Sequence, residues 1–154
     1  MKKLVIIAIS VVAAMSCGRQ VSESSSAVSF DDVLETRRSI RDFDASKEVT
    51  EAPVFIVSTF VKGLSGFSRG KIFNEIGGGW GAYDNGLGNA YLVLKARAMG
   101  FDTLIMGMRD SDALRALFGI PDGEEVMAVI ALGHRASDPV KPTRKPLDEI
   151  AKLF

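Results

Sequence analysis

Apolar residues fall in short runs along this chain, separated by glycines and polar stretches. Val54-Phe55-Ile56-Val57 is β-branched and aromatic, and Phe101 to Met106 and Val126 to Leu132 repeat the type, so three strands are expected. Pro53 suits the start of the first, where no ladder donor is needed. Asp84 to Ala98 places Leu87, Tyr91, Leu94 and Ala98 at offsets of three and four, with Ala90 beside them. That predicts a helix with one apolar face, Asp84 as N-cap and Gly100 just past its end. Gly86 and Gly88 weaken such a helix by up to about 1 kcal/mol each, which suggests close approach of another backbone or a flat ligand.

A second helix is expected from Ser111 or Asp112 through Leu114, Leu117 and Phe118, stopping at Gly119, with a turn at Ile120-Pro121-Asp122-Gly123. Phe30 to Glu35 reads as a short helix capped by Asp31 or Asp32, and Leu147 to Phe154 can add a terminal turn or two. Lys62 to Gly79 carries Gly63, Gly66, Gly70 and Gly77-Gly78-Gly79. This run lacks the spacing of a phosphate-binding P-loop, so a mobile loop is expected. Trp80 and Tyr83 could stack on a planar ligand or anchor a core or interface. Strands alternating with helices place the chain in the α/β or α+β class.

The first 17 residues have the pattern of a secretory signal. Lys2 and Lys3 precede an apolar run from Leu4 to Met15 that is short for a membrane-spanning helix. Ala13-Ala14-Met15-Ser16-Cys17 resembles a bacterial lipobox, and Cys17 is the one cysteine of the chain. The expectation is lipidation at Cys17, with the acyl chains as anchor and the protein on the periplasmic side of a bacterial envelope. Residues 18–29 hold five serines and no apolar period, and read as a flexible tether. The folded domain is then 30–154.

With 154 residues, 47% hydrophobic and 25% charged, the chain is long enough for one packed domain. Nineteen basic and 19 acidic side chains balance, which argues against nucleic-acid binding. One cysteine and one histidine, His134, exclude a disulfide framework and a Cys/His metal cluster. For His134, at a strand end, a structural role is the simplest reading. Candidate chemistry concentrates in Arg37-Arg38-Ser39-Ile40-Arg41. Three guanidinium groups and a hydroxyl within five positions can grip a phosphate, or can form a solvated basic turn.

The order of these motifs resembles the FMN-dependent nitroreductase family. Arg-Arg-Ser-Ile-Arg is followed by Ala52-Pro53 and a strand, then by Asp84-x-Gly86 opening a helix that ends Ala98-x-Gly100. A strand closing in Gly107 comes next, then Ile120-Pro121-x-Gly123, a strand ending Leu132-Gly133, and Pro142-x-Arg144-x-Pro146. The resemblance implies a three-layer α+β fold, with a central mixed sheet flanked by helices, acting as a homodimer. It further implies an FMN that takes a hydride from NADH or NADPH and passes two electrons to an acceptor such as a nitroaromatic or quinone. By the same resemblance Arg37, Arg38 and Ser39 would hold the phosphate and ribityl chain. Arg41 would lie near the pyrimidine ring or the phosphate, Met106 and Gly107 against the isoalloxazine, and Arg144 back on the phosphate. One departure stands out. Between Phe43 and Ala52 roughly 40 residues of the family pattern, two helices and a strand, are missing at typical element lengths. A non-catalytic binding lipoprotein with weakened flavin binding is the alternative that this gap raises.

Overall fold

The computed structural model describes residues 28–44 and 54–152. The expected signal, Cys17, nearly all of the tether, Ala52-Pro53 and most of the preceding polar stretch lie outside the described residues. The order of elements is α1 (Phe30–Thr36), β1 (Val54–Val61), β2 (Phe67–Ser68), β3 (Lys71–Ile72), α2 (Gly79–Ala98), β4 (Asp102–Met106), α3 (Ser111–Phe118), β5 (Glu124–Gly133) and α4 (Leu147–Ile150). The α+β class expected from the sequence is the class observed.

The three apolar strands form one sheet in the order β1-β5-β4, antiparallel throughout, and the parallel component is a single bridge between Ser39 and Thr103. β5 is central, so it is apolar on both faces and carries the fully buried Val126 and Ile130. The register shifts by one residue between Ser58 and Thr59, which leaves Met127 of β5 as a bulge. Ser58 and Phe60 turn towards α2, and alternation puts Ile56 on the same face with Ile130 and Ala128 opposite.

α2 lies across this face, and its sequence signal proved misleading in two ways. It begins at Gly79, five residues before Asp84, and Gly78 at its N-cap supplies no side-chain bond. Its buried residues are Gly81, Val93 and Ala96, whereas Leu87 and Tyr91 of the predicted apolar face are exposed, Tyr91 by 73%. The true inner face is read by small and amide residues. Ser58 Oγ lies 3.0 Å from Asn85 Oδ1 and 2.9 Å from Asn89 Oδ1, its single proton serving one of them at a time, and Asn85 Nδ2 donates to the Thr59 carbonyl at 2.9 Å. The buried Ser58 needs such partners, and periodicity of apolar residues does not report them.

Close approach falls at Gly81, not at Gly86 or Gly88. A Cβ at Gly81 would lie 2.4 Å from the Phe60 ring, while Gly86 and Gly88 face open space. The stretch expected as a mobile loop folds into the β2–β3 hairpin, and Gly77 at φ +51° leads into α2. A Cβ at Gly66 would come within 1.9 Å of the Gly77 carbonyl oxygen, so the hairpin packs against the helix start. Trp80 sits there between Phe73 and Tyr83, at ring-centroid distances of 6.4 and 5.6 Å, and its Nε1 donates to Asn74 at 3.0 Å.

The remaining caps also differ from expectation by a residue or two. Ser29 caps α1 by accepting from Asp32 N, and Asp110 caps α3 by accepting from Ala113 N. Gly119 ends α3 at φ +62° as expected, and Gly100 follows α2 at φ +84°. α4 is a single exposed turn.

Two glycines of one helix therefore predict opposite outcomes. Gly86→Ala should stabilise the fold by roughly 0.5–1 kcal/mol through helix propensity. Gly81→Ala should destabilise it by about 1–3 kcal/mol through overpacking against Phe60. Urea unfolding of the two variants checks this, and equal effects would refute the assignment of the close contact.

Candidate functional site

The loop after α1 is anchored by two apolar side chains, Ile40 and Phe43. Ile40 is 1% exposed, and its backbone N donates to the Thr103 carbonyl at 3.1 Å, beside the Ser39–Thr103 bridge. Phe43 lies against Gly133, where a Cβ would meet its ring at 2.9 Å. The apolar positions of Arg-Arg-Ser-Ile-Arg-Asp-Phe thus plug into the sheet, and the arginines between them have no room in the core.

These arginines meet the chain beyond β5 across a cavity of 310 Å³. Arg37, Arg38, Ser39 and Arg41 form one wall and Pro139 to Pro142 with Arg144 the other. Of the described residues, five cations line it (Arg37, Arg38, Arg41, Lys141 and Arg144) and no acid does. Among the described residues the side chains of Arg37, Arg41 and Arg144 have no hydrogen bond or ion pair. Arg38 turns one Nη to the carbonyls of Glu35 and Arg37, which leaves its Nε buried without an acceptor. A buried donor in that state costs free energy until an acceptor arrives. At the rim, Lys141 bonds Glu35. That hydrogen bond, with the charge of Lys141 behind it, holds the Glu35 carboxyl below its ordinary range and keeps it ionised.

The structure brings five predicted site residues together and leaves two apart. Met106 and Gly107 stand at the far end of β4, about 13 Å from Asp102 at ordinary strand rise. Arg109 closes that corner, donating to the Gly107 carbonyl at 2.7 Å and to the Val126 carbonyl. His134 contributes its backbone carbonyl to Asp44 N at 2.8 Å and its ring to a tilted contact with Phe101 at 5.0 Å, a structural role.

Sequence reasoning missed the ionic cluster behind the cavity. Asp102, 4% exposed, accepts from Arg135 Nε at 2.9 Å, from Arg135 Nη2 at 2.5 Å and from Arg97 Nη1 at 3.3 Å. The Asp102 carboxylate in turn raises the pKa of Arg135 above its ordinary value. A carboxylate opening an apolar strand was the available signal, since a buried charge demands a partner. A second cavity, of 460 Å³, runs along the outer edge of β1 beside Asn85, Gly88 and Leu92.

The nitroreductase family profile matches residues 50–134, more than half of the chain, beginning after Arg41 and stopping before Arg144. A solved Exiguobacterium sibiricum protein, described as a nitroreductase in complex with FMN, aligns with a TM-score of 0.64 at 16% identity, covering 86% of this chain and 100% of that one. A Staphylococcus epidermidis protein described as an NAD(P)H:FMN oxidoreductase aligns at 0.60 and 17%, covering 86% and 99%. For a nitroreductase family protein of Streptococcus pneumoniae the values are 0.50 and 23%, covering 53% of this chain and 42% of that one. At these identities the likeness is one of fold. A search of curated proteins returns no match. With more than half of its length matched by the family profile, and with this fold, the chain belongs to the nitroreductase family.

Proposed function

We propose that this chain is an FMN-dependent NAD(P)H oxidoreductase, exported, anchored by a lipid on Cys17 and acting as a homodimer. The observation that carries the cofactor is the cavity lined by five cations and, among the described residues, no acid. A phosphate dianion balances that charge, and arginine forks match its oxygens bidentately. The similar Exiguobacterium structure is described in complex with FMN and the Staphylococcus one as an NAD(P)H:FMN oxidoreductase, which supports the same reading.

Arg37, Arg38, Ser39, Arg41 and Arg144 would hold the phosphate end. Met106 and Gly107, with Gly107 steadied by Arg109, would face the ring end through backbone groups. Bound FMN supplies hydride acceptance from NAD(P)H and delivery of two electrons to a nitroaromatic, quinone or similar acceptor. The residues of this chain bind and orient; no side chain in the cavity is assigned a proton transfer.

Support for a homodimer comes from the outer face of α2. Tyr83, Leu87 and Tyr91 repeat every four residues and are exposed, and Ile72 of β3 and Phe73, the residue after it, are exposed too. A second copy covering this stripe would remove it from water. Support for export comes from Lys2, Lys3, the apolar run and the single cysteine after Ala13-Ala14-Met15-Ser16.

Purified protein should be yellow or bind added FMN, and Arg37→Ala and Arg144→Ala should each weaken FMN by about 1.5–3 kcal/mol while leaving riboflavin affinity unchanged. Fluorescence titration decides; a colourless protein that binds no FMN sinks the enzyme reading in favour of a binding lipoprotein. Sedimentation should show a dimer that Leu87→Arg with Tyr91→Glu converts to a monomer, and a monomeric parent refutes the dimer. Radiolabelled palmitate should enter the protein in a bacterial host and be lost with Cys17→Ser; equal labelling of both rules out acylation at that thiol.

A further inference from the structure

The two walls of the cationic cavity come from segments about a hundred residues apart, and both are irregular chain. Each carries arginine, so they repel across the space between them. Among the described residues the ion pair that spans them directly, Lys141 to Glu35, is exposed on both sides and worth little. Something else must set their separation.

Arg135 touches the residue preceding each wall. Its Nη2 donates to the carbonyl of Thr36, immediately before Arg37, at 3.1 Å, and its Nη1 bonds the carboxylate of Asp138, immediately before Pro139. The same guanidinium is locked on Asp102 by Nε and Nη2, and the backbone N of Arg135 reaches Asp102 Oδ2 at 3.3 Å. Asp102 cannot move, because it opens β4 and pairs with Gly133 of β5. Arg97 reinforces the first wall, its Nε donating to Thr36 Oγ1 at 3.1 Å while its Nη1 holds Asp102. A planar guanidinium with five donors can serve three acceptors at once, and an ammonium on a flexible stem cannot hold that fork.

We propose that Arg135, fixed on the buried Asp102 carboxylate, is a positioning residue that sets the separation of the two cavity walls and thereby the affinity of the site for a phosphate group. It makes no contact with the ligand itself. The link to phosphate affinity rests on the cofactor reading above; the link to wall separation does not.

The test uses two variants. Asp138→Ala removes the acceptor and so cuts only the tie to the second wall, leaving Asp102 fully partnered; Asp138 is 75% exposed in its side chain, so the fold should not suffer. Arg135→Lys keeps a charge at Asp102 but loses the fork. Nitroxides at Leu34→Cys and Val140→Cys, both exposed and both on the cavity lining, report the separation by dipolar broadening in continuous-wave electron paramagnetic resonance, with the detergent-solubilised full chain carrying Cys17→Ser diluted by unlabelled copies so that a dimer holds one labelled subunit. The expected result is one narrow distance in the parent and a broadened or displaced one in both variants, with the melting temperature of Asp138→Ala unchanged. In unlabelled protein FMN affinity should fall about tenfold in each variant, the factor of one charge-assisted hydrogen bond, while riboflavin affinity stays level. A distance that stays narrow in both variants, or that is already broad in the parent, overturns the proposal. Loss of riboflavin and FMN affinity together overturns its phosphate part. A parent that binds no FMN refutes the cofactor reading alone, and the distances then decide the clamp.

Discussion

A carboxylate buried at the start of an edge strand is the constraint from which this structure can be understood. Asp102 would be costly in that position alone, and two arginines from different elements make it tolerable. The arrangement has a geometric consequence that outweighs its net energy. Arg97 brings the C-terminal half of α2, and Arg135 brings the end of β5, to the point where α1 gives way to the arginine loop. Replacing the cluster by apolar residues would bury as well, but would not aim those segments at one another.

Around that point the loop is held by packing, with Ile40 in the core and Phe43 over Gly133. Among the described residues Arg37, Arg41 and Arg144 then make no ion pair, an arrangement that favours an anionic ligand. The opposite end of the molecule is more open. β1 pairs on one side only among the described residues, and α2 meets it through a glycine and a buried serine–asparagine network rather than through an apolar stripe. The apolar stripe of α2 faces away from its own sheet, which is why the same helix contributes both to the core and to a candidate surface for a second copy.

Much of the fold was legible in the chain because its signals are local. β-branched runs marked three strands, Gly119 and Gly100 marked helix ends, and Pro121 to Gly123 marked a turn, each acting through backbone conformations that neighbouring residues set. The start and inner face of α2 were not legible. Its first turn is written in glycines and aromatics, and its buried side is paid for by hydrogen bonds from Asn85 and Asn89, which carry no periodic apolar signature. The caps at Ser29 and Asp110 slipped by a residue or two because several neighbouring side chains could cap equally well.

The sequence by itself determined the class of fold, the family resemblance and the presence of a guanidinium cluster suited to phosphate, since these depend on residue type and order. Only the tertiary structure decided that Arg144 and Lys141 face Arg37, Arg38 and Arg41 across one cavity, and that Met106 and Gly107 stand away from it. It also decided that Asp102 and Arg135 join the two walls. Convergence of segments about a hundred residues apart depends on strand order, register and the direction in which a buried ion pair pulls the chain. None of these is encoded within any one stretch of residues.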